Sequence, residues 1–148
     1  MFASHMELAL EEARRAAARG EAPIGAVLSA PDGNVLASAG NQVRELADPT
    51  AHAELLVIRA AALALGSERL TGCGLTVTLE PCAMCAGAIS LARIARLWYG
   101  ASDPKGGAVA HGARVFSHPT CHHLPDIYGG ISETACAALL TGFFRSRR

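Results

Sequence analysis

The chain has 148 residues, 51% of them hydrophobic and 18% charged, and its 13 Lys and Arg balance 13 Asp and Glu to a formal net charge of zero. That length and apolar content fit one domain with a sizeable core, while the charge balance excludes a protein coated in positive charge for unspecific nucleic-acid binding and still allows a local basic patch. The N-terminal stretch carries Glu7, Glu11 and Glu12 and lacks the apolar centre of a secretory leader, and no window approaches the ~18 uncharged apolar residues of a membrane span, so a cytoplasmic, non-membrane protein is expected.

Ser4 followed by Glu7 has capping-box spacing, and Met6, Leu10, Ala13 and Ala17 recur at helical intervals until Gly20. These predict an amphipathic first helix. The apolar runs 23–29 and 35–40 flank the turn-rich Ala30-Pro31-Asp32-Gly33-Asn34 and read as a hairpin. From Asp48-Pro49-Thr50 to Gly66 the chain shows an N-cap candidate, a proline in the first turn and a glycine stop. Leu55, Leu56, Val57, Ile58, Leu63 and Leu65 make that helix apolar nearly all round, which predicts that it is buried.

Leu75 to Leu79 favours a strand, Glu80-Pro81 starts a helix that Cys82 to Ala92 continues, and Arg96 to Tyr99 is a further strand. In such a β-α-β unit the right-handed crossover places Cys82 at a helix N-terminus just beyond a strand's carboxyl end, where α/β proteins bind ligands. Residues 101–125, frequent in glycine, proline and histidine, lose periodicity and read as a long functional loop with a short strand near Ile127. A last helix from about Ile131 carries Ala135, Leu139, Leu140, Phe143 and Phe144 and ends in Arg145-Ser146-Arg147-Arg148.

Of the five cysteines, Cys82 and Cys85 have metal-type C-x-x-C spacing, and Cys73, Cys121 and Cys136 read as reduced, buried thiols. His52-Ala53-Glu54 combined with Pro81-Cys82-Ala83-Met84-Cys85 is the established H-x-E and P-C-x-x-C signature of zinc-dependent nucleobase deaminases. Three ligands, His52, Cys82 and Cys85, leave a coordination position for water, whose pKa such a metal lowers toward ~7. Glu54 is then free to carry protons rather than to bind the ion.

Other readings remain open from the motif alone. A lone C-x-x-C suits a redox or structural pair. A structural zinc site would need a fourth ligand, for which Cys121, His122 and His123 are the candidates, and would leave Glu54 without a purpose.

Beyond the motif, the chain resembles the bacterial tRNA-specific adenosine deaminases of the cytidine deaminase-like superfamily. The likeness runs from the first helix through Pro23-Ile24-Gly25-Ala26-Val27, Asn41, the 48–54 segment, Thr78 to Ala88, Asp103-Pro104-Lys105 and Cys136 to Leu140, to Phe143-Phe144-Arg145. It implies a three-layer α/β/α fold with a central mixed five-stranded sheet, a homodimer, one Zn2+ per chain, and conversion of adenosine to inosine at the wobble position of an arginine tRNA anticodon stem-loop. It likewise implies that His52, Cys82 and Cys85 bind zinc, that Glu54 shuttles protons and that Asn41 contacts the flipped base. Asp103, Lys105, Phe143, Phe144 and Arg145 are implied to face the anticodon loop.

Residue chemistry is compatible with these roles. Asn41 offers a donor and an acceptor to a purine edge, though it equally suits the turn after the second strand. Aromatic rings stack on splayed bases and Arg or Lys hold phosphates, though Phe143 and Phe144 also continue the apolar stripe of the last helix. No role is carried onto the histidines of His118-Pro119-Thr120-Cys121-His122-His123, whose wording departs from the family. The alternative activity is deamination of a free base or nucleoside, guanine or cytosine, by the same zinc machinery. The feature that separates the two is the terminal 143–148 segment, which a small-molecule enzyme does not need.

Overall fold

The computed structural model describes residues 4–147, so Arg148, the last of the terminal arginines, lies outside the described residues. In chain order the elements are α1 (Met6–Ala18), β1 (Gly25–Ser29), β2 (Val35–Gly40), α2 (Ala53–Leu65), β3 (Gly74–Leu79), α3 (Ala83–Leu91), β4 (Arg96–Ala101), β5 (Asp126–Tyr128) and α4 (Glu133–Ser146). The strands form one five-stranded sheet in the order β2-β1-β3-β4-β5. β1 runs antiparallel to both β2 and β3, whereas β3, β4 and β5 are parallel, so the sheet is mixed as expected.

Alternation along β1 divides the core between the two faces of the sheet. Val27 packs with Met6, Ala9 and Leu10 of α1 and Cys136 of α4. Ala26 and Leu28 point the other way, against Val57 and Ala61 of α2 and Ile89 of α3. This is the three-layer α/β/α arrangement. α1 lies so close to the sheet that a side chain at position 25 would collide with the Ala9 carbonyl, and a Cβ at Gly40 would stand 2.6 Å from the Glu12 carbonyl oxygen.

Helix starts differ from the sequence reading. The Ser4 capping box does not form. His5 is the N-cap of α1 without a side-chain cap, and it is anchored by its N–H to Thr76 Oγ1 (3.2 Å) and by its ring Nε2 on the Gly33 carbonyl (2.9 Å). α2 starts at Ala53 rather than at Asp48-Pro49-Thr50. Asp48 Oδ1 instead accepts the Thr50 N–H and hydroxyl at 2.8 and 2.7 Å, a local turn that competes with helix capping. Gly66, at φ 63°, stops the helix as its lack of a side chain allows.

α2 is also not the buried helix its composition suggested. Only Ala53, Glu54, Val57 and Ala61 are buried, while Leu63 is 85% exposed and Leu65 48%. Its apolar residues serve two surfaces, one on the sheet and one facing outward. The five cysteines are free, and Cys73 and Cys136 are buried as expected, whereas Cys121 is only partly buried. Among the described residues no helix is long and apolar enough to cross a membrane.

Candidate active site

Two helix starts build the site. His52 is the last extended residue before α2, and Cys82 holds the same position before α3, with Cys85 in that helix's first turn. α2 and α3 pack side by side on one face of the sheet, which brings together residues 30 apart in sequence. His52 Nδ1 lies 3.6 Å from Cys82 Sγ and 3.6 Å from Cys85 Sγ, and the three donor atoms all fall within 4.8 Å of one another. Ligand bonds of about 2.0–2.3 Å in a tetrahedron place neighbouring nitrogen and sulfur donors about 3.5 Å apart, so this trio fits zinc in both chemistry and spacing.

The electrostatics suit a cation. The hydrogen bond from Cys85 draws the Cys82 thiol down to about 5, helped by the backbone N–H groups of Cys85 and Met84 and by His52, against the opposing effect of burial. Cys85 is pushed up by that same hydrogen bond and by its burial. The start of α3 adds the partial positive charge of its free N–H groups, which favours thiolate.

Glu54, in the first turn of α2, is 4% exposed and not one of the clustered donors. Burial first, and then the Cys82 charge, push its carboxyl up to about 7 against its backbone hydrogen bond, His52 and Cys85. Asn41, 6% exposed at the end of β2, accepts the Ala53 N–H with Oδ1 at 2.9 Å. Since an N–H only donates, the facing amide atom is the oxygen, which leaves Nδ2 as the donor for another group.

Of the remaining expected site residues, Asp103, Lys105 and Phe144 line one cavity, whereas Phe143 and Arg145 are not part of its lining. Asp103 and Lys105 line this space of about 430 Å³ with Ile24, Leu79, Leu140 and Phe144. Asp103 Oδ1 accepts the Lys105 and Gly106 N–H groups at 3.2 and 2.9 Å and so shapes its own turn. Phe144 is 57% exposed, whereas Phe143 is half-buried, edge-on to Phe144 at 5.4 Å between ring centroids and covered by the Arg147 guanidinium at 4.2 Å. Arg145 is exposed on the last turn of α4.

The candidates for a fourth ligand do not join the cluster among the described residues. Cys121 Sγ is engaged with Ser90 Oγ at 3.3 Å, and His123 Nε2 with the Ile94 carbonyl at 3.0 Å.

Two residues were missed by sequence reasoning. Glu80 has a side chain without solvent exposure, and its Oε1 accepts the Asp103 N–H at 3.1 Å and the His111 ring at 2.8 Å. Its Oε2 accepts the N–H groups of Val109, Ala110 and His111 at 3.1, 2.9 and 3.2 Å. Burial raises this carboxyl, but the Asp103 N–H, the His111 ring and the Val109 and Ala110 N–H groups outweigh it and hold the group below its ordinary range. The available signal was the pair Gly106-Gly107, since adjacent glycines mark a close approach of backbone to another group.

Comparison with known proteins agrees with this geometry. The cytidine and deoxycytidylate deaminase zinc-binding region matches residues 3–101. The chain is 64% identical to the tRNA-specific adenosine deaminase of Agrobacterium fabrum (strain C58) over 143 residues, covering 97% of this chain and 93% of that protein. It is 42% identical to the tRNA-specific adenosine deaminase of Bacillus subtilis (strain 168), covering 97% and 89%. A solved structure from work on A-to-I editing by tRNA:A34 deaminases at the wobble position of transfer RNA superposes with a TM-score of 0.89 at 64% identity, covering 91% of this chain and 97% of that one.

Proposed function

The chain belongs to the tRNA-specific adenosine deaminases, within the family of the cytidine and deoxycytidylate deaminase zinc-binding region, and from that membership we propose that it converts adenosine to inosine at the wobble position of an arginine tRNA anticodon. The observation that carries the reading is the His52, Cys82 and Cys85 donor triangle with buried Glu54 beside it and outside it. His52 Nδ1 and the two thiolates would hold the ion. Zinc, when bound, supplies the Lewis acidity that makes water nucleophilic at neutral pH.

This chain's residues do the rest. The target base must leave its stack to reach so recessed a site. Asn41, its amide oxygen committed to Ala53, presents Nδ2 to an acceptor on the purine edge. Water adds through its oxygen to C6 of adenine while Glu54 takes the proton and delivers it to N1. The C6–N bond then breaks, and Glu54 passes the remaining hydroxyl proton to the departing ammonia, leaving the carbonyl of inosine. The cavity between Lys105 and Phe144 supports a role in receiving a neighbouring unpaired base, with Lys105 and Arg145 on phosphates. Such a substrate places the reaction in the cytoplasm.

A second copy of the chain completes the proposed assembly. The outward face of α2 and α3 presents Leu55, Ile58, Ala62 and Leu91 around an apolar hollow of about 490 Å³, a surface suited to burial against its own kind. The decisive experiment is mass analysis of the wobble nucleoside after incubation of the protein with an arginine tRNA anticodon stem-loop. Inosine is expected. Turnover of free guanine, cytosine or adenosine at ordinary enzymatic rates, with no inosine in the stem-loop, overturns the assignment.

A further inference from the structure

The loop after β4 has no strand or helix of its own until the short helical turn Val115–Ser117, yet it carries Asp103 and Lys105. A free loop of that kind must lose its conformational freedom when it engages a ligand, which weakens binding. Here its order comes from one carboxylate. Glu80 gathers the N–H of Asp103 at one end of the loop and those of Val109, Ala110 and His111 at the other. The Ala108 N–H reaches the Pro81 carbonyl at 2.8 Å, and the Gly107 N–H the Asp103 carbonyl at 2.8 Å. A Cβ on Gly107 would stand 2.5 Å from both Glu80 Cδ and the Asp103 carbonyl oxygen, so backbone lies directly against the carboxylate.

His111 closes this arrangement. A carboxylate only accepts, so Nδ1 carries the hydrogen in the 2.8 Å contact with Glu80 Oε1, the same oxygen that receives the Asp103 N–H. The His111 side chain is 36% exposed, so it can be exchanged without opening the core. Glu80 itself is separated from Cys82 only by Pro81, which ties the loop to the segment that enters the candidate metal centre.

We propose that His111, acting through Glu80, is a positioning residue for RNA binding: the pair latches the 103–111 loop and so presets Asp103 and Lys105 at the cavity that they line. The inference rests on the reading above that this rim meets the anticodon loop. Loss of the latch leaves Glu54 and the donor triangle untouched and makes substrate binding bear the cost of ordering the loop. The effect therefore falls on KM.

The test compares His111→Ala, His111→Phe and His111→Asn in the intact protein. Asn places an amide N–H where the imidazole Nδ1–H stands, whereas Phe keeps bulk without a donor. Expected for Ala and Phe is a KM for the stem-loop raised about threefold to tenfold, the scale of one partly exposed hydrogen bond to a charge. Expected kcat stays within about twofold, with faster amide hydrogen exchange across 103–111. His111→Asn should return both KM and exchange to near the wild-type values. Unchanged KM and exchange in His111→Ala, in a preparation whose wild type edits the stem-loop, overturn the latch and leave the functional reading standing. So does an equal loss of kcat in all three variants together with a lower melting temperature and unchanged KM, the pattern of a merely structural residue. A wild type that forms no inosine in the stem-loop removes the functional reading, and the latch then stands or falls on the exchange measurement alone.

Discussion

Asn41 Oδ1 accepts the Ala53 N–H at 2.9 Å, which ties the end of β2 to the first turn of α2 between His52 and Glu54. One amide thus orders the helix start with its oxygen, and its nitrogen is the group we propose meets the base. Asn41→Ala should cost about 1 kcal/mol of stability, the usual scale for a lost bond at a helix N-terminus, and should lower deamination at least tenfold. Asn41→Asp keeps an acceptor but no donor, so it should recover the stability without the turnover. Thermal melts and inosine assays on the two variants check this, and equal activity in Asn41→Asp and wild type contradicts it.

Glu54→Gln preserves volume in a buried position and leaves the three donor atoms in place. Its expected signature is one zinc per chain with a loss of about 10²–10⁴ in kcat, the range for a general acid–base group. Elemental analysis and single-turnover assays measure both. A metal-free variant would show Glu54 to be a ligand, and near wild-type turnover would remove its role.

Purified protein should contain about one zinc per chain, and Cys82→Ala or Cys85→Ala should contain none. Because the ion joins the start of α2 to the start of α3, chelation should also lower the melting temperature. A wild-type protein with no metal, or one whose melting ignores a strong chelator, contradicts the assignment.

Leu91 is 62% exposed beside the apolar hollow between α2 and α3. A charge there costs the single chain little but cannot be buried without a partner. Light scattering should give twice the chain mass for wild type at micromolar concentration and the single mass for Leu91→Arg, with the fold unchanged by circular dichroism. A monomeric wild type rejects the assembly.

Lys105→Ala and Arg145→Ala should each reduce the slope of log affinity against log salt for the stem-loop by about 0.7, the value for one phosphate contact on a single strand. Zinc content should not change. A slope identical to wild type in both variants removes these residues from the RNA interface.

The metal trio was legible because each half of it, H-x-E and C-x-x-C, is a short motif at a helix start, and the fold sets His52 Nδ1 3.6 Å from both thiols. The hairpin and the β-α-β unit were legible for the same local reason. What misled was composition without direction: the apolar run of α2 could not reveal that Leu63 and Leu65 point away from the sheet. Asp48 looked like a cap, but its side chain closes a turn on Thr50 first. The Glu80 and His111 pair was invisible because, unlike His52 and Cys82, it belongs to no motif, and no periodicity records a contact between residues 31 apart.

The place of β3 has a consequence for how the metal centre comes into being. β3 pairs antiparallel with β1, Ala26 opposite Val77, and parallel with β4, Leu75 opposite Leu97, so it is the strand to which both halves of the sheet must attach. Of the trio, an unfolded chain holds only the thiols of Cys82 and Cys85 close together in sequence. His52 arrives when α2 docks over the assembled strands, and pairings this distant in sequence are slow to form. Tight capture of zinc by the full trio therefore trails sheet closure in time, and an ion held by all three ligands marks a chain that has finished folding.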